Sequence, residues 1–244
     1  MMSESDCKPL EEMERRLRSV WDEVFRTCPL IHAIQKGEIN RALYALYLFQ
    51  TYHYTLHNSR NQALVGVRSV EENGPYLNYC FSHAADEAGH EQMALHDIKS
   101  IGLPDAEQLI PAPLAETEVL IAYLYWVSAT GNPFRRLGYS FWAEGAYEFI
   151  GPLIDRVRTT LQLRDSQMTF FVAHARIDEE HFAQVRRMLR SNCRTAADWA
   201  EAGQVMETSL RLTGRMMSAV HAAYESFRQG NAEQFAFLRS SGLQ

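Results

Sequence analysis

Apolar residues recur along most of this chain at spacings of three and four, the repeat of a helix that buries one face. The pattern predicts helices over about Pro9–Phe25, Glu38–Val67, Tyr76–Ile101, Glu116–Ala129, Pro133–Leu161, Asp165–Leu189 and Thr195–Arg228. Breakers fall between them. Cys28-Pro29 and Asn73-Gly74-Pro75 interrupt the pattern, Gly102 with Pro104 stops a helix, and Asn132 with Pro133 supplies an N-cap and a first helical residue. Gly151-Pro152 predicts a kink within the fifth stretch, and Thr195 with Asp198 fits a capping box. No alternating pattern exceeds four or five residues, so no strand is expected. The expectation is an all-α bundle of seven or eight helices joined by short connections. No stretch rich in Pro, Gly or Ser separates two halves, which predicts one domain over residues 1–244.

Composition changes this picture little but narrows the partners. At 244 residues and 46% hydrophobic, the chain can bury a large interior. A net charge of −6 without any Lys or Arg run gives no footprint for nucleic acid. The most apolar segment, Val119–Val127, is too short to cross a membrane, which takes about 20 residues. The N-terminal stretch lacks the apolar core of a signal peptide, so a cytoplasmic location is expected. Cys7, Cys28, Cys80 and Cys193 are scattered without CxxC spacing, and free thiols are expected. Any metal must therefore be held by His and carboxylate.

The ionisable residues that share apolar faces carry the chemistry. In FVAHARIDEEHFAQV, His174, Asp178 and His181 stand four and three residues apart and form one column. The same face carries Phe170, Phe171, Phe182, Val185 and Met188, while Arg176, Glu180 and Arg187 point away. Burying two imidazoles and a carboxylate without partners costs several kcal/mol each, roughly, and a cation is an economical partner. In HAADEAGHEQ, Glu87 and His90 stand three apart on the inward stripe of the third helix, an arrangement by which bundles present a carboxylate and an imidazole to iron or manganese. His83, four residues before Glu87, is read as a hydrogen-bonding or packing neighbour of the ligands, with metal binding as the alternative. In LGYSFWAEGAYEFIG, Glu144 is flanked on its own face by Leu137, Ser140, Phe141 and Tyr147, with Glu148 as the competing carboxylate. The aromatics Tyr44, Tyr47, Tyr52 and Tyr54 are expected mainly in the core, with pocket lining as the alternative.

Taken in order, Glu87 with His90, Glu144 with Gly145, then His174, Asp178 and His181 resemble the haem-oxygenase-like diiron oxidases, the iron-containing redox enzymes. The resemblance spans roughly residues 40–190. The contexts AEGAYEF and HARIDEEHF are similar to those of the alkene-forming fatty-acid decarboxylases of that group. It implies a haem-oxygenase-like, TenA-like helical bundle with metal ligands Glu87, His90, Glu144, His174, Asp178 and His181. Two irons, with manganese as the alternative, suit this mixed oxygen and nitrogen set, and three carboxylates nearly balance the charge of two Fe(II) ions. O2 is then the co-substrate, a small amine, amino-acid-derived or fatty-acid molecule the substrate, and an external electron donor a possible partner. Glu87, Glu144 or Asp178 would bridge. Pairing as a homodimer through a flat helical face is expected.

Other readings use the same fold differently. A TenA-like, metal-independent hydrolase would take Cys80 as nucleophile, and a haem oxygenase would need an early proximal histidine, for which His32 is the candidate. A non-catalytic helical binding protein would hold the same polar groups in a hydrogen-bonded interior.

Overall fold

Long apolar stripes without alternating segments leave the backbone only one way to satisfy its own polar groups while burying its side chains, and the chain is helical almost throughout. The computed structural model describes the backbone of residues 4–68, 73–240 and 243; the side chains of 4–7, 174–179 and 240 lie outside what is described. Twelve α-helical segments and no strand occur among the described residues. They are α1 (Glu4–Thr27), α2 (Pro29–Lys36), α3 (Arg41–Thr55), α4 (Asn58–Arg68), α5 (Gly74–Asp86), α6 (His90–Ser100), α7 (Ala115–Ala129), α8 (Leu137–Glu144), α9 (Tyr147–Leu161), α10 (Thr169–Asn192), α11 (Ala196–Arg228) and α12 (Phe237–Ser240).

The count exceeds the seven or eight expected because three of the predicted helices are broken and because two short ones, α2 and α12, form outside the predicted stretches. The stretch Glu38–Val67 parts at Leu56 and His57 into α3 and α4. Tyr76–Ile101 parts at Glu87–Gly89, where Gly89 takes a positive φ of 94° that other residues rarely adopt. Pro133–Leu161 becomes a 3-10 turn over Pro133–Arg136, then α8, then a break at Gly145 and Ala146 before α9. The expected kink site, Pro152, lies inside α9. Two predicted caps form, Asn132 accepting a hydrogen bond from Phe134 N and Thr195 bonding reciprocally with Asp198 at the start of α11. By contrast, α10 starts only at Thr169, after a 3-10 turn over Asp165–Gln167, with Met168 as an N-cap that makes no side-chain bond.

The 33-residue α11 is the central post, packed against α1, α2, α3, α7 and α8. Its crossing with α8 is close enough to exclude a side chain. A Cβ on Gly138 would lie 2.0 Å from the carbonyl oxygen of Ala202. The indole Nε1 of Trp142 donates to Ser209 Oγ at 2.8 Å across the same contact, fixing the roll of α8. On its other side α8 meets α10, and α6 also packs on α10. The ends of α5 and α8 are thereby brought to one stretch of α10. None of the described helices is long and apolar enough to cross a membrane.

Candidate metal centre

Two of the helix breaks put carboxylates at helix ends. Glu87 caps the C-terminus of α5, and Glu144 is the last residue of α8 with Gly145 as its cap. A helix C-terminus carries partial negative charge, so a carboxylate there is poorly placed unless hydrogen-bond donors or a cation face it. The donors are histidines. His83, one turn before Glu87, brings Nε2 to 3.0 Å from Glu144 Oε1. His181 on α10 brings Nδ1 to 3.4 Å from Glu144 Oε2, and the two imidazole centroids are 5.4 Å apart.

His83, Glu87, Glu144 and His181 each direct a ligand atom into one small volume, all four atoms lying within 4.8 Å of one another. Metal–ligand bonds of about 2.0–2.2 Å set opposite donors about 4.2 Å apart, so the cluster fits a cation after a small contraction. His83, Glu87 and Glu144 are buried, and His181 is partly so. His83 Nδ1 has no hydrogen-bond partner among the described residues although it is buried. Burial pushes the Glu144 carboxyl up, but the hydrogen bonds from His181 and His83 outweigh it and hold the group well below the usual carboxylate range. The same hydrogen bond raises His181. For Glu87, burial is likewise outweighed by the contact with His90, which holds the carboxyl down and raises the imidazole. Two anionic carboxylates facing three imidazoles in a nearly dry volume form a donor set that a divalent ion would complete.

The placement of the predicted ligands is uneven. Glu87, Glu144 and His181 converge. His90 lies beside the cluster and outside its four-residue set, its Nδ1 3.4 Å from Glu87 Oε1, because the break at Gly89 turns α6 away from the line of α5. His83, expected as a hydrogen-bonding or packing neighbour, takes a place in the set; its spacing of four from Glu87 was the available signal. Glu148 is exposed and pairs with Arg18 at 3.0 Å, away from the centre. The side chains of His174 and Asp178 lie outside the described residues.

A cavity of about 120 Å³ opens onto the centre. His83, Glu87 and Glu144 form part of its wall with Tyr47, Tyr54 and Arg136. Tyr47, Ile150, Phe171 and Met217 are shared with a second, apolar cavity of about 60 Å³ that runs on between Ile31, Ile154 and Val157. Tyr44 lines only that second cavity, and Cys80 lines neither. Cys80 is fully buried on α5, its Cβ position against Gly66 of α4. His32 Nε2 is engaged by the carbonyl of Phe25 at 3.0 Å. The outer side of the centre, at His90 and His181, faces a surface groove lined by Asp86, Glu180 and Gln184.

Three comparisons bear on this arrangement. A domain of unknown function with a heme oxygenase-like fold from Shewanella denitrificans OS217 is 47% identical, with a TM-score of 0.89 over 92% of this chain and 97% of that one. A TenA homologue from P. horikoshii OT3 gives a TM-score of 0.69 at 14% identity, over 87% of this chain and 97% of that one. A CADD-like protein of unknown function from Nostoc punctiforme PCC 73102 gives 0.63 at 14% identity, over 86% and 97%. The last two show the fold alone. No curated protein matches. Residues 45–214, which contain every member of the centre, match the family described as iron-containing redox enzyme. The decarboxylases within that group are not singled out by any of these matches. This chain, with its haem-oxygenase-like fold and its His and Glu cluster, belongs to the iron-containing redox enzyme family.

Proposed function

We propose that the chain is a non-haem diiron oxidase or oxygenase that uses O2 on a small organic substrate held in the cavity beside the centre. The observation that carries this is the convergence of His83, Glu87, Glu144 and His181 within 4.8 Å inside a family of iron-containing redox enzymes. Iron bound there would supply the electrons by which O2 is reduced. The protein's own residues do the rest. His83 and His181 would offer imidazole nitrogens to the ion, and Glu87 and Glu144 present anionic oxygens from helix ends that already favour a cation. Two carboxylates match the charge of one divalent ion, and a second ion calls for a further anionic ligand, for which Asp178 is the sequence's candidate with His174 beside it. His90 orients Glu87 through the 3.4 Å contact. Phe170, Phe171, Trp142 and Tyr139 exclude water from the substrate side.

The reading is tested by anaerobic Fe(II) loading, elemental analysis, and oxygen uptake with visible absorbance in the presence of amines, amino acids and fatty acids. The expected result is about two irons per chain, lost together with oxygen uptake in Glu144→Gln and His181→Ala while the helical circular-dichroism signal persists. A metal-free wild type that turns over substrate would refute it. The Cys80 hydrolase reading places its nucleophile outside both cavities, and no observation favours it.

A further inference from the structure

We infer that the substrate carries a carboxylate and that Arg136 receives it. The inference deepens the oxidase reading by naming the substrate class of the same cavity, and it rests on that reading for what happens there afterwards.

Arg136 is almost wholly buried, at 2% exposure, and it lines the cavity. A buried guanidinium ordinarily has a carboxylate beside it, because an uncompensated buried charge is among the costliest features a fold can carry. Here no described Asp or Glu pairs with it. Its partners are neutral: Nε and Nη2 donate to Asn61 Oδ1 at 3.0 and 2.7 Å, and Nη1 donates to Ser140 Oγ at 3.0 Å. The guanidinium also sits 4.3 Å over the ring of Tyr139. These bonds fix its plane and use three of its five N–H groups, so two remain for a planar acceptor.

A second group on the same wall points the same way. Gln62 is 1% exposed, lines the cavity, and its amide oxygen has no hydrogen-bond partner among the described residues. With the amide rotated, Gln62 offers an N–H to an acceptor held in the same cavity. A single guanidinium matches one negative charge, and the nearby Glu87 and Glu144 repel a second, which selects a carboxylate over a phosphate dianion. Arg136, Ser140 and Glu144 occupy successive turns, so the guanidinium bonded to Ser140 stops one turn, about 6 Å of rise, short of Glu144. A small acid anchored on Arg136 therefore reaches the centre, and its apolar body faces Phe171, Ile150 and Met217 at the mouth of the second cavity.

The test is titration calorimetry of three pairs, hexanoate against hexanamide, 3-phenylpropanoate against its amide, and L-phenylalanine against L-phenylalaninamide. Each is run on the full chain loaded with Fe(II) under nitrogen and on the same chain stripped with chelator. The expected result is at least one pair in which wild type, in both metal states, prefers the acid by about tenfold or more. Arg136→Met removes that preference and Arg136→Lys keeps part of it. Should Arg136→Met not fold, Asn61→Asp provides the check, since it gives the guanidinium a resident counter-charge of nearly unchanged size and is expected to remove the preference as well. Acid and amide bound equally by wild type in every pair, or a preference retained by Arg136→Met or Asn61→Asp, overturns the inference. Iron content separates the two proposals. A wild type that prefers acids and holds no iron keeps the inference and ends the oxidase reading, whereas one that holds iron without preferring acids does the reverse.

Discussion

The contact between α8 and α11 makes a sharp prediction for Gly138→Ala. A Cβ there would meet the Ala202 carbonyl oxygen at 2.0 Å, with Ala202 C and Met206 N both at 2.9 Å. Side-chain rotation cannot relieve a clash with backbone, so the helices must separate until the first distance reaches about 3.0 Å, a movement of about 1 Å. Overpacking relieved by backbone shifts costs about 1–3 kcal/mol, and this case belongs at the upper end because all three neighbours are main-chain atoms. For a chain of this length a loss of about 3 kcal/mol lowers Tm by roughly 6–12 °C. The displacement also travels along α8 to Glu144, whose oxygens lie 3.0 Å from His83 and 3.4 Å from His181, so iron retention falls with stability. Gly214→Ala is the control. It puts the same methyl against Val24 Cγ2 and Cγ1 at 3.1 and 3.2 Å, atoms that can turn aside, and the better helix propensity of Ala, about 1 kcal/mol, offsets the crowding. Differential scanning calorimetry of both variants decides the matter. A Gly138→Ala protein that melts within about 3 °C of wild type, or a Gly214→Ala protein that loses as much, would show that the close approach of α8 and α11 is not what sets their spacing.

Other consequences follow from single contacts. Asp97 accepts from Thr169 N, Thr169 Oγ1 and Phe170 N, yet burial outweighs those bonds and raises its carboxyl above the usual value. The folded state therefore holds that proton more tightly than the unfolded chain, and stability falls as pH rises from the ordinary carboxylate value through the raised one. The Tm of wild type minus that of Asp97→Asn should decline over this window, and a flat or rising difference would count against it. Thr195→Ala removes half of the capping box on α11 and is expected to cost about 1 kcal/mol by urea unfolding, with the slope of the transition unchanged. Cys80→Ser, at a residue that lines neither cavity, should leave iron content and oxygen uptake at wild-type levels; loss of activity with iron retained would revive the thiol.

The helical class, the boundaries of α7 and α11, the cap of α11 by Thr195 with Asp198 and the cap of the 3-10 turn by Asn132 with Pro133 were legible in the sequence because they depend on local chemistry. The breaks inside the long patterns were not. An apolar stripe runs unchanged through Glu87–Gly89 because the residues on either side are buried whether or not the helix continues, and Gly89 alone marks the turn. That one turn explains why His83, and not His90, joins the four-residue cluster. Counting along a continuous helix puts Glu87 and His90 on one face, whereas the break keeps Glu87 with the residue one turn before it, His83. Glu144 and Glu148 are equivalent by spacing alone, and the break after Glu144 sends Glu148 out to Arg18. Arg136 was passed over because a lone arginine carries no spacing signal; its meaning lies in the missing carboxylate, which only the packed interior reveals.

Both acidic members of the cluster stand at joints rather than in mid-helix. A ligand in mid-helix can move only by bending a rod of intact hydrogen bonds, while one at a joint moves with a few backbone torsions. Loading and release of an ion should therefore be recorded locally. Deuterium uptake at the amides of 87–90 and 144–147 should slow severalfold when the ion binds, while the exchange rates through the middle of α11 stay where they were.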